Sequence, residues 1–188
     1  MRECSVLLVE DETDLLLFPP LRAMWSPRGQ PAQVMLSGRN ARRVVFGCMN
    51  LATGHRVFAV RQRQYADDFQ AFLREVRRRY HGRHVTMLLD GDRSHTARAS
   101  QALAARLQIR LIWLPIRAPE LNPMDTLWGQ AKDAMTANKQ YVGIDEQADA
   151  FVTHLTSLSN RMALQTSGVL SEHFWLQRVL SKYFCGPA

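Results

Sequence analysis

Val85-Thr86-Met87-Leu88-Leu89-Asp90 is the stretch on which the reading of this chain turns. A strand-like apolar run after Gly82 ends on a carboxylate. Two other segments do the same. Val6-Leu7-Leu8-Val9 runs into Asp11-Glu12, and Leu111-Ile112-Trp113-Leu114 leads through Pro115, Pro119 and Pro123 to Asp125. A hydrophobic strand that ends on an acid delivers its charge to the sheet rim, where water or a metal can reach it. Three such carboxylates at one rim form an oxygen-rich cage for hard divalent cations. In a basic protein, a cage of that kind points to phosphodiester chemistry.

The bulk properties are compatible. At 188 residues the chain suits one domain with a single good core. A net charge of +7 and a pI near 9.9 draw a polyanion such as nucleic acid to the surface. Cys4, Cys48 and Cys185 are widely spaced and form no paired motif. That excludes a disulfide framework or a zinc site and fits a reducing compartment. No apolar run approaches the ~18 residues of a membrane span. The start, Met1-Arg2-Glu3-Cys4, enters a strand at once and reads as no signal peptide. A cytoplasmic location is the expectation.

Outward from Asp90, patterning supplies the elements. A short buried strand is expected over 5–10, then a turn-rich passage with Pro19-Pro20, Trp25, Gly29 and Pro31, and a brief strand at Val34–Leu36. Residues 43–50 and 55–61 read as strands joined by a hairpin through Gly54. Phe69, Phe72, Leu73, Val76 and Tyr80 recur at helical spacing over 65–80, with Asp67 and Asp68 in the first turn. A helix over 97–107 and a strand over 109–114 follow. Asn122-Pro123 reads as an N-cap with proline at the first helical position. The helix it starts, 123–137, carries Asp125 in its first turn, and further helices are expected at 145–158 and 170–183. Strand, strand, strand, helix, strand, helix, strand, helix describes a mixed α/β sheet flanked by helices.

Several residues together resemble a known family: Val9-Glu10-Asp11-Glu12, Trp25 with Gly29, Leu88-Leu89-Asp90 with Ser94-His95, and Leu114-Pro115 followed by Pro119-Glu120-Leu121-Asn122-Pro123-Met124-Asp125 and Trp128. They resemble the DDE-type transposases, in the bacterial insertion-sequence branch allied with mariner elements. The resemblance implies a ribonuclease H-like mixed sheet, three antiparallel strands then two parallel ones, with extra C-terminal helices. By that analogy the first and fourth strands are parallel neighbours, so that Asp11, Asp90 and Asp125 meet. It also implies a single catalytic domain over 1–188, its core about 5–140 and its C-terminal helices 141–188. The bacterial branch usually has Glu where this chain has Asp125, and mariner enzymes use Asp there. The helix-turn-helix region that such transposases use to grip their ends is not expected in this chain.

The implied activity is metal-dependent DNA cleavage at transposon ends, then strand transfer to target DNA. Its cofactor would be two Mg²⁺ or Mn²⁺ ions, with Asp11 bridging and Asp90 and Asp125 each completing one shell. The implied partners are DNA, a second copy when assembled on DNA, and a separate N-terminal DNA-binding polypeptide. His95, Asn122, Lys132 and Glu12 are the supporting or DNA-contacting candidates.

Plainer roles exist for each residue. Asp90-Gly91-Asp92 is also a turn signal, Asp125 suits a helix N-terminus, Trp128 suits packing, and Arg74, Arg77, Arg78 and Arg79 suit a solvated helix face. A response-regulator receiver shares the Val6–Glu12 pattern but needs a phospho-accepting aspartate that the 46–55 segment lacks. A host nuclease of ribonuclease H type, or an inactive remnant serving as a DNA-binding or assembly module, are the remaining alternatives.

Overall fold

Alternate residues of one strand divide the protein into two cores. The computed structural model describes residues 5–36 and 38–183, with β1 at Ser5–Leu16, β2 at Arg42–Asn50 and β3 at Arg56–Arg61. Helix α1 (Ala66–Arg79) precedes β4 (His84–Leu89), and α2 (Arg93–Thr96) and α3 (Arg98–Arg106) precede β5 (Ile109–Trp113). Helices α4 (Pro123–Met135), α5 (Ile144–Ser157), α6 (Asn160–Thr166) and α7 (Gln177–Tyr183) complete the order. Val6 and Leu8 of β1 pack with Phe46, Phe69, Phe72 and Met87 beneath α1 and α3. Leu7, Val9 and Leu15 pack with Leu127, Trp128, Phe151 and Leu155 beneath α4, α5 and α6. The period of two along a strand buries both faces.

The strand order is β3-β2-β1-β4-β5. The β1–β2 and β2–β3 pairs are antiparallel, whereas β4 runs parallel to both β1 and β5. This is the ribonuclease H-like arrangement, with β1 and β4 side by side as the resemblance implies. Helix α1 forms because Phe69, Phe72, Leu73 and Val76 make one buried stripe. Asp67 and Asp68 at its start and Arg77, Arg78 and Arg79 at its end complement the helix dipole.

The structure departs from expectation in four places. Strand β1 does not stop at residue 10; it runs to Leu16 because β2 pairs with it as far as Leu16↔Arg42. Asp11 and Glu12 therefore lie within a strand and not at its tip. Val34–Leu36 forms no strand, and Leu21, Met24, Trp25, Met35 and Leu36 stand exposed in an irregular arm between β1 and β2. The last expected helix starts only at Gln177, and two short helices, α2 and α6, were not legible. Cys4 and Cys185 lie outside the described residues, and Cys48 is a buried free thiol.

Gly54 in the β2–β3 turn has φ of 73°, and a Cβ there would fall 2.2 Å from the Asn160 carbonyl oxygen. A side chain at that position would lift α6 off the hairpin. On the other flank, Gln147 of α5 donates to the Leu16 carbonyl at 3.1 Å, and Gln140 donates to that of Leu17 at 3.2 Å.

Candidate active site

The β1–β4 ladder ends at Val9↔Leu88, and β4 itself ends at Leu89. Asp90 follows at once, while β1 continues past it carrying Asp11. The rim that holds Asp11 is therefore made by the shortness of its neighbour. Asn122 brings the third acid. Its Oδ1 accepts from the Met124 N–H at 3.0 Å, capping α4, and its Nδ2 donates to the Glu10 carbonyl at 3.1 Å. One side chain thus starts the helix and pins it to β1. Asp11, Asp90 and Asp125 consequently line one open cavity of about 440 Å³, walled by Leu114, Pro115 and Pro119.

Two of the three carboxylates are held by one oxygen each. The Trp128 indole N–H donates to Asp11 Oδ2 at 3.1 Å. His95 Nδ1 lies 2.9 Å from Asp90 Oδ1, which also accepts from the Asp92 N–H at 3.0 Å. In both cases the second oxygen has no side-chain donor. Burial, with the negative charges of Glu12, Asp90 and Asp125, pushes Asp11 from the usual carboxylate range up to about 8. The bond from His95 instead holds Asp90 below its ordinary value. An all-oxygen donor set, in which Asp11 resists ionising beside its acidic neighbours, fits a hard dication that would relieve the repulsion.

Trp128 is more than the packing residue that its spacing suggests. Its ring is buried against Phe58 and Phe151 while its N–H reaches Asp11. Room for it comes from Gly47, the residue opposite Asp11 in the β1–β2 register. A Cβ on Gly47 would fall 2.5 Å from the indole ring. The sequence signal was the i, i+3 relation of Asp125 to Trp128; nothing in it marked Gly47.

On the opposite face of β1 lies a second acidic group. His95 is fully buried, its ring 4.4 Å from that of Phe69. Nε2 lies 2.7 Å from Glu12 Oε1 and 3.6 Å from Glu10 Oε2. Burial opposes a charge on this imidazole, yet Glu10, Asp90 and Glu12 together raise it to about 12. Both ring nitrogens face carboxylate oxygens, as an imidazolium requires. Glu10, which the sequence reading did not single out, is wholly buried, and neither of its side-chain oxygens has a hydrogen-bond partner. Desolvation pushes it well above its ordinary value. Glu12 is thus no surface acid but the far anchor of His95.

Lys132 lies two turns beyond Asp125 and lines a separate cavity of about 220 Å³ with Asp14 and Gln147. Burial lowers its pKa against the pull of Asp14, Asp125 and Asp11. Asp92 lines the cavity of the three acids but spends Oδ1 on the Ser94 N–H and hydroxyl, at 2.8 and 2.7 Å. Glu120 is exposed. Of the α1 arginines, Arg77 bonds to the Leu107 and Arg83 carbonyls and Arg79 to His55, so that only Arg74 and Arg78 remain a solvated face.

The ribonuclease H-like sheet thus brings Asp11 from within β1, Asp90 from the end of β4 and Asp125 from the first turn of α4 to one cavity. Residues 6–146 match the family model of DDE superfamily endonucleases, and the chain belongs to that family. Over 143 residues it is 28% identical to the insertion element IS630 uncharacterized 39 kDa protein of Shigella sonnei, covering 73% of this chain and 42% of that protein. The paired end complex of the mariner transposase Mos1 with Mg superposes with a TM-score of 0.72 at 20% identity, covering 96% of this chain and 57% of that one. The Mos1 catalytic domain alone gives 0.62 at 15% identity, covering 96% and 84%. The chain thus spans less than half of the Shigella protein and just over half of the Mos1 chain in that complex. Among the described residues no helix is long and apolar enough to cross a membrane.

Proposed function

We propose that this chain is the catalytic domain of an insertion-sequence transposase, cleaving DNA strands at element ends and joining them to target DNA. The observation that carries the reading is the shared cavity of Asp11, Asp90 and Asp125. Asp11, Asp90 and Asp125 would hold two Mg²⁺ or Mn²⁺ ions. When bound, the ions supply activation of the attacking oxygen and charge stabilisation of the leaving oxygen. Mos1 has been crystallised in paired end complexes with Mg and with Mn, which supports the choice of cation.

The protein's own part is positional. Trp128 fixes Asp11 by Oδ2 and His95 fixes Asp90 by Oδ1, each bond leaving the other carboxylate oxygen to a cation. Glu12 orients His95 from behind, and Asn122 sets the height of Asp125. In the first step a water oxygen bonds to phosphorus as the P–O3′ bond breaks, leaving a 3′-hydroxyl and a 5′-phosphate. In the second, that hydroxyl attacks a target phosphodiester and displaces its 3′-oxygen. Lys132 supplies positive charge for phosphate beside Asp125.

DNA as partner is supported by the paired end complex of Mos1 with its left transposon end. Assembly as a homodimer on DNA is supported by the exposed apolar arm around Trp25. The test is to incubate the domain with labelled plasmid and Mn²⁺ and compare it with Asp90→Asn. Nicking that depends on metal and disappears in the variant is expected; nicking that survives removes the site.

A further inference from the structure

We infer that a second groove beside the catalytic cavity seats the phosphodiester backbone of the DNA flanking the scissile bond. The inference rests on the strand-cleavage reading above and adds the path of the substrate. The groove, of about 790 Å³, lies between the β3–α1 connection and the start of α2. Arg42, Arg63 and Arg93 converge on it from three separate parts of the chain, with Gln62, Gln64 and Tyr65 between them.

Its charge is unbalanced. Asp92 is the only carboxylate in the lining, and the N-terminal residues of α2 already occupy its Oδ1. Arg42 shares itself with Asp14 at 2.7 Å, both side chains about half exposed. Arg63 has no ion pair among the described residues and sits over the Tyr65 ring at 5.5 Å, which limits its rotamers. Arg93 likewise has no ion pair among the described residues and is exposed. Guanidinium groups and side-chain amides along the groove match phosphate oxygens.

Continuity fixes the occupant. Asp92 lines both this groove and the cavity of Asp11, Asp90 and Asp125, so the two depressions meet there. A strand whose scissile phosphate lies among the acids has its neighbouring phosphates over Arg93 and then Arg63. This is a different surface from the α1 arginine row, where Arg77 and Arg79 are engaged within the protein.

The experiment compares Arg63→Ala/Arg93→Ala with Arg74→Ala/Arg78→Ala, a pair on the outer face of α1. Binding of a fluorescein-labelled 24-base duplex is followed by anisotropy over a NaCl series. Losing two phosphate contacts weakens binding and lowers the slope of log K against log salt by about 2 in the first variant only. Melting temperature and Mn²⁺ binding by calorimetry stay at wild-type values. An unchanged slope, or an equal fall in the α1 pair, overturns the inference. Wild-type nicking with an unchanged slope in the groove variant sinks the groove alone. A lowered slope in a protein that never nicks DNA with Mn²⁺ keeps the groove as a polyanion site and sinks the catalytic reading.

Discussion

Glu10, Asp11 and Glu12 are consecutive acids on β1 under two different regimes. Asp11 faces α4 and an open cavity, where burial and its acidic neighbours outweigh the attraction of Lys132 and raise its pKa to about 8. Glu10 and Glu12 face α1, where His95 meets them inside the protein. The difference teaches where an external ion is needed. On one face the compensating charge is built in; on the other it is left to be supplied. His95 links the two, since its remaining nitrogen reaches Asp90. The built-in cation thereby orients a ligand of the external one.

The contrast breaks most directly at its two acids. Asp11→Asn is expected to reduce Mn²⁺-dependent nicking by more than about a hundredfold, whereas Glu10→Gln, isosteric with a buried glutamate on the face away from the cavity, leaves Mn²⁺ affinity by calorimetry unchanged. Equal losses in the two variants would erase the distinction between the faces. Next in size is His95→Ala, which strips a buried cation from two buried acids. Urea unfolding should show a loss of about 3–5 kcal/mol, part of it recovered by adding Glu12→Gln.

Trp128→Phe keeps the ring but removes the indole donor. A fall of about 10–100-fold in Mn²⁺ affinity is expected, with a loss of only about 1–2 kcal/mol in stability. A stability loss with unaltered affinity would return Trp128 to a pure packing role.

The smallest effect lies far from the acids, at a histidine of opposite fate. His55 accepts from Arg79 on Nε2 at 2.9 Å and contacts Tyr80 through Nδ1, also at 2.9 Å. Burial, then Arg79 and Arg56, lowers its pKa from 6.5. A base held neutral in the fold contributes stability that is complete above the unfolded value and is lost as pH falls through the folded one. His55→Gln should flatten that acid limb in melting curves, and a ¹H NMR titration should place the His55 midpoint below 6.5.

Much of this was legible because strand ends and helix starts are local. Asp90 follows a short apolar run, and Asn122-Pro123 starts α4 where capping chemistry says it should. The extent of β1 was not legible. Asp and Glu read as strand breakers, yet Thr13 and Leu15 continue the buried alternation because β2 holds them in place. Glu10 was invisible as a buried acid, since its partner His95 is 85 residues away in sequence, on a helix of four residues. Gly47 was invisible for a similar reason: the ring that needs its bare Cα arrives from α4. The apolar side chains of the 21–36 arm suggested a strand at Val34–Leu36, but nothing in the described fold pairs with it.

Past Glu10, β1 has a sheet neighbour on one side only, and its open side is closed by borrowed amides. The carbonyls of Glu10 and Leu16 are taken by Asn122 and Gln147, which stand in for a strand that no described residue supplies. An unguarded border of this kind recruits strands from other molecules. Helix α5 thus stands sentry on that border through Gln147, and losing the amide would leave a β1 carbonyl open to a passing strand.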